Sequence, residues 1–133
     1  MKKMNVVRSW AVALLAVVGL VACTADNLVG TWEVTAYEMN HPGQQGVRVE
    51  HIGTITFHKD QNGEKEIQYS VLERTFADSA SFTWTKQEGY VTLLGPDSEF
   101  TKTWIVVEDK RNSQIWRSTD GSNTVQLLEL KKK

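Results

Sequence analysis

The sequence predicts an all-β fold, an eight-stranded antiparallel up-and-down barrel. Three observations carry that expectation. After Cys23 no long helical period appears; short runs rich in Val, Ile, Thr, Tyr, Phe and Trp alternate with turn residues instead. The runs number eight, and closing eight hairpin-connected strands on themselves removes the adhesive edges of an open sheet. Both prolines, Pro42 and Pro96, fall between runs, where no ladder donor is needed.

The first strand is expected at 28–39, with Gly30, Trp32, Val34 and Ala36 on one face and Thr31, Glu33, Thr35 and Tyr37 on the other. His41-Pro42-Gly43 and the residues to Gly46 break it. The second, about 48–59, turns Gly53, Ile55 and Phe57 inward, and Asn62-Gly63 marks a hairpin. The third, 64–74, carries Ile67, Tyr69 and Val71 on one face, with a loop expected at 75–79. Glu64 and Glu66 flank Lys65 as at an exposed strand end. The fourth, 80–87, alternates Phe82 and Trp84 against Ser81, Thr83 and Thr85; Glu88-Gly89 then leads into the fifth, 90–94. A longer loop from Gly95 precedes the sixth strand, 101–108. The seventh is expected at 113–118, Asp120-Gly121 turns it, and the eighth runs 123–131.

Upstream of the barrel the chain reads as an address. Lys2, Lys3 and Arg8 precede an uncharged, mostly apolar run at 10–22, the order of a secretory signal peptide. That run is 13 residues, and a spanning helix needs roughly 20. Cys23 is the single cysteine, so no disulfide forms within the chain. Leu20-Val21-Ala22-Cys23 resembles the lipobox of bacterial lipoproteins. The resemblance implies cleavage before Cys23 and several acyl chains on it, and more than one chain is what stable anchoring requires. Residues 1–22 are then signal peptide, 23–27 a lipidated tether and 28–133 the folded domain. At ~3.5 Å per extended residue the tether reaches on the order of 15 Å. Thr24 after the cysteine, with no acidic run, resembles an outer-membrane destination with the periplasmic leaflet favoured over the cell surface.

Removing residues 1–22 leaves 12 basic against 16 acidic residues, a formal charge of −4. Nucleic-acid binding needs a basic face, so no such partner is expected. The basic run at 131–133 reads as a solvated tail or a contact for anionic headgroups.

Gly30-Thr31-Trp32 at the first strand resembles the Gly-x-Trp of lipocalins. Gly53-Thr54-Ile55-Thr56-Phe57 leading to Asp60 and Gly63 is similar to the second strand and turn of lipocalin-like lipoproteins of the Gram-negative envelope. Phe82-Thr83-Trp84 and the strands of Trp104 and Trp116 fit the same pattern. The resemblance implies a basic residue packed over that tryptophan at the barrel base. Arg117 or Lys131 is expected there, Arg117 with Gly30 and Trp32 forming the base.

No catalytic motif is present: there is neither a Gly-x-Ser-x-Gly elbow nor a glycine-rich phosphate loop, and no cofactor is expected. His51 and His58 are seven apart and fall on opposite faces of one strand, while His41 sits in a loop; no metal is expected. Phe57, Tyr69, Phe82, Trp84 and Trp116 are either packed core or the lining of an apolar ligand cavity. Two readings stay open: a membrane-tethered, non-enzymatic module binding a small apolar or amphipathic ligand, or an accessory protein whose solid barrel contacts another envelope protein through its loops. Loop lengths place the mouth at the end carrying 41–47, 75–79, 95–100 and 119–122, away from the membrane.

Overall fold

The computed structural model describes residues 27–119, 121 and 123–133; the signal-peptide reading, Cys23 and nearly all of the tether lie outside them. Eight strands follow in order: β1 (Gly30–Asn40), β2 (Val47–Phe57), β3 (Asn62–Val71), β4 (Arg74–Gln87), β5 (Tyr90–Leu94), β6 (Thr103–Asp109), β7 (Ser113–Ser118) and β8 (Val125–Lys132). Each pairs antiparallel with the next, and β8 returns to β1, giving the closed up-and-down barrel expected from the sequence. The closing ladder runs from Trp32 opposite Lys132 to Asn40 opposite Val125.

The period-2 rule governs the walls. β3 is the cleanest case: Gly63, Lys65, Ile67 and Tyr69 are buried while the residues between them are exposed. Lys65 therefore points into the barrel, contrary to its reading as part of an exposed strand end. Its position in the alternation, not its charge, decides its side. In β1 a bulge between Val34 and Ala36 shifts the phase, so Tyr37 is buried inside although simple alternation sends it outward. A matching irregularity in β2 falls at His51, whose φ is 52°. Gly53 follows with φ 144°; a Cβ there would lie 1.9 Å from the Glu66 carbonyl oxygen, so only glycine lets β2 and β3 approach this closely.

The expected loop at 75–79 is strand. β3 and β4 are joined at Leu72 and Glu73, with φ of 51° and 68°. Positive φ at both central residues is the pattern of the tight hairpin turns whose twist matches the flanking strands. β4 is consequently 14 residues long. Its first part pairs with β3 alone, because the ladder to the five-residue β5 begins only at Thr83. Along 74–82 the second edge of β4 has no strand partner among the described residues. The connection 95–102 occupies that side instead.

This connection is a plug. Ser98 Oγ accepts from the Phe100 amide at 3.1 Å, the Ser98 amide donates to Thr101 Oγ1 at 3.0 Å, and Thr101 Oγ1 donates to the Pro96 carbonyl at 3.0 Å. Those bonds hold Phe100 inside the barrel, its ring 5.0 Å from that of Tyr37. The Trp104 indole donates to the Phe100 carbonyl at 3.0 Å.

Below the plug the barrel is solid. Phe57 meets Phe82, Trp84 and Trp116 edge-on at 5.6, 5.4 and 6.0 Å, and Trp104 lies 6.4 Å from Trp116. Among the described residues each indole N–H is satisfied: besides Trp104, Trp32 by the Leu28 carbonyl at 2.8 Å, Trp84 by those of His58 and Asn62, and Trp116 by Gln114 Oε1 at 3.0 Å. Among the described residues no buried side-chain nitrogen or oxygen lacks a partner, as a packed interior demands.

Candidate functional site: the mouth of the barrel

At the closed end, Trp32 is fully buried and Lys132 stands over it, its Nζ 5.5 Å from the ring centroid and 3.3 Å from the Asn27 carbonyl oxygen to which it donates. The base cation is thus Lys132, not Arg117 or Lys131. Arg117 follows buried Trp116 on β7 and is exposed; Lys131 follows buried Leu130 on β8 and is also exposed. Lys132 has the inward phase of Leu128 and Leu130. Gly30 sits beside it: a Cβ on Gly30 would lie 2.9 Å from Lys132 Cε. A second closure spans β4, β6 and β7, where Lys86 Nζ reaches Asp109 Oδ2 at 2.7 Å and Gln114 Nε2 donates to Asp109 Oδ1 at 2.6 Å.

The opposite end is hollow. A cavity of about 470 Å³ opens there, walled by Met39, Val47, Tyr69, Val71 and Phe76. That volume falls within the range of small-molecule sites. Tyr69 and Phe76 face each other across β3 and β4, their rings stacked at 5.1 Å and 18°, and the Arg74 guanidinium lies 5.9 Å from the Phe76 centroid. Leu72, at the tip of the turn, is 90% exposed. His41 and Thr124 join across the rim at 2.7 Å.

The floor is polar. Gln126, buried on β8, donates from Nε2 to Tyr37 Oη at 2.7 Å and to Glu99 Oε2 at 2.8 Å, and its Oε1 accepts from Lys102 Nζ. A carboxylate only accepts and an ammonium only donates, so the amide has one admissible orientation. Burial pushes the Tyr69 hydroxyl above its ordinary pKa, and the Glu99 and Asp78 carboxylates add to the shift.

Beside the mouth, a groove of about 670 Å³ runs between the unpaired edge of β4 and the plug, sharing Tyr69, Phe76 and Glu99 with the cavity. Near its lining, Lys65 Nζ donates to Asp78 Oδ2 at 2.7 Å and to Ser98 Oγ at 3.0 Å, tying the plug to the wall.

Of the five aromatic residues expected at a ligand site, Tyr69 lines the mouth, while Phe57, Phe82, Trp84 and Trp116 are packed together in the solid half. The structure does not bring the five into one cavity. Sequence reasoning missed Met39, Val47, Phe76, Glu99 and Gln126. Phase along β4 from Phe82 back to Phe76 was the available signal for one of them, obscured by the loop expected at 75–79. The histidines lie apart: His51 pairs with Glu33 at 2.8 Å and His58 with Glu64 at 2.9 Å. Among the described residues no group of three or more His, Cys, Asp or Glu side chains is arranged to hold a metal.

No family model matches the chain, and no curated protein matches it. Among solved structures it is similar to a siderocalin, Ex-FABP, described as functioning through dual ligand specificities. The identity is 13% and the TM-score 0.46, over 80% of this chain and 74% of that one.

Proposed function

We propose that the protein is a lipid-anchored, non-catalytic binding module of a bacterial envelope, holding a small apolar or amphipathic ligand in the mouth of its barrel. One observation carries the reading: the barrel is packed solid below Phe100 and hollow above it, with an apolar-walled cavity of about 470 Å³ over a hydrogen-bonded polar floor. A barrel with a purely structural interior would continue its packing to the rim.

The address rests on residues 20–23, with Cys23 as the acylated residue and the outer membrane's periplasmic leaflet as destination. Asn27, the first described residue, lies at the closed end beside Lys132, which supports a tether on that side. The mouth then faces away from the lipid. Replacing Cys23 with Ala should shift the protein from the membrane fraction to an uncleaved or soluble form.

Binding is tested by native mass spectrometry of the purified protein beside Val47→Trp, which fills the mouth. A bound small molecule on the parent that is absent from the variant is the expected result. Bare spectra for both, with no uptake of added amphiphile, would remove the reading. The groove between the β4 edge and the 95–102 connection favours the alternative of a protein partner, since an edge without a strand partner takes an extended segment.

A further inference from the structure

Given a ligand in the mouth, the chemistry of its head group follows from the floor. We infer that the cavity takes a cationic amphiphile, its ammonium or amine head seated at Glu99 and its apolar part against Met39, Val47, Val71 and Phe76.

Glu99 borders both the cavity and the side groove, so a head group arriving by either route meets it. Among the described residues its carboxylate takes one hydrogen bond, from Gln126, and no ion pair. Glu99 is exposed and lines both openings, so its remaining acceptor capacity is open to a head group there. Its orientation is fixed in advance, because Gln126 is itself held by Tyr37, by Lys102 and, through its backbone amide, by Ser118 Oγ at 3.0 Å. A preset acceptor loses little freedom on binding.

The neighbouring charges have other duties. Lys65 pairs with Asp78, Lys102 donates to Gln126 and lies 5.5 Å from the Trp104 centroid, and Arg74 lies over Phe76 at the outer rim. Asp97, on the groove side, adds negative charge. The surrounding rings belong to Tyr37, Tyr69, Phe76 and Phe100, and aromatic faces attract cations through their quadrupoles. Burial is the main cause of the raised Tyr69 pKa, and the Glu99 and Asp78 carboxylates add to it. The Arg74 guanidinium also lines the cavity at its rim, so the preference for a cationic head rests on Glu99 at the floor.

The inference rests on the binding reading, and its test separates the two. The purified full chain is titrated calorimetrically at about pH 7 with decylammonium, decanol and decanoate, each below its micelle concentration. Val47→Trp defines the binding that belongs to the mouth. The cation should bind about tenfold tighter than decanol, the scale of one charge-assisted contact. Glu99→Gln, which keeps an acceptor for Gln126, should bring the cation to the level of decanol measured on the same variant. Equal or tighter binding of decanol or decanoate, or a preference that survives Glu99→Gln, overturns the cationic head while leaving the cavity as a binding site. If none of the three binds, both readings fall.

Discussion

The ion pair between Lys65 and Asp78 predicts an asymmetry between two substitutions. The Lys65 side chain is 0% exposed and that of Asp78 is 17% exposed, with Nζ and Oδ2 2.7 Å apart. Asp78→Ala leaves an ammonium inside the barrel with the Ser98 hydroxyl as its hydrogen-bond acceptor at 3.0 Å. Stripping one partner from a buried pair costs roughly 3–5 kcal/mol, because the other charge stays desolvated. Lys65→Met keeps the buried aliphatic stem and removes the charge that cannot reach water. The carboxylate left behind at Asp78 is partly hydrated, and Ser98 keeps its bonds to Phe100 and Thr101. That change should cost only about 1 kcal/mol, the scale of a net hydrogen bond. Urea unfolding followed by tryptophan fluorescence reads the difference. With a slope on the order of 2 kcal/mol per molar, the two midpoints should separate by roughly 1–2 M. Lys65→Met unfolding at or below the midpoint of Asp78→Ala would refute the reasoning, since it would mean that the lysine contributes as an ion rather than as a buried stem.

Two further outcomes concern the closed end. Trp32→Ala removes a fully buried indole and should lose roughly 3–5 kcal/mol, whereas Lys132→Met, which gives up a cation–π contact, should lose about 0.5–1 kcal/mol, both measured by the same unfolding assay. For Asp109, burial pushes the carboxyl pKa up, but hydrogen bonds from Lys86 and Gln114 outweigh it and hold the value below the ordinary 3.8. A depressed folded pKa gives stability that is fully present above the unfolded value and lost as pH falls through the folded one. Asp109→Asn should therefore flatten the pH dependence of stability below pH 3.8 relative to the parent, a difference read by thermal unfolding across that window.

Most of the wall was legible because alternation and punctuation agree there. β5 and β7 lie where the sequence puts them, bounded by Glu88-Gly89 and by the polar residues 110–112. The hairpin at Leu72 and Glu73 was not legible: both residues adopt positive φ without the glycine or asparagine that usually announces it. Tertiary pairing of Tyr69 with Phe76 holds that turn, and the sequence carries no local sign of it. Lys65 and Lys132 were obscured by their charge, although period 2 places both inward. Tyr37 was obscured by a bulge, which no pattern of residue types reveals. The mouth suffered most, since it draws on all three: a hidden turn, a phase shift and a loop residue, Glu99, placed by the fold around Phe100.

The brevity of β5 has a kinetic consequence. Along 74–82 β4 is laddered to β3 alone, so its other edge can part from the 95–102 connection without breaking a strand pair. The tryptophan-packed lower half and the β1–β8 seam stay shut meanwhile. A guest too bulky for the rim could enter sideways, past the plug, during such an excursion. Residence time would then be governed by how often one strand edge breathes, and affinity by what the guest touches once inside.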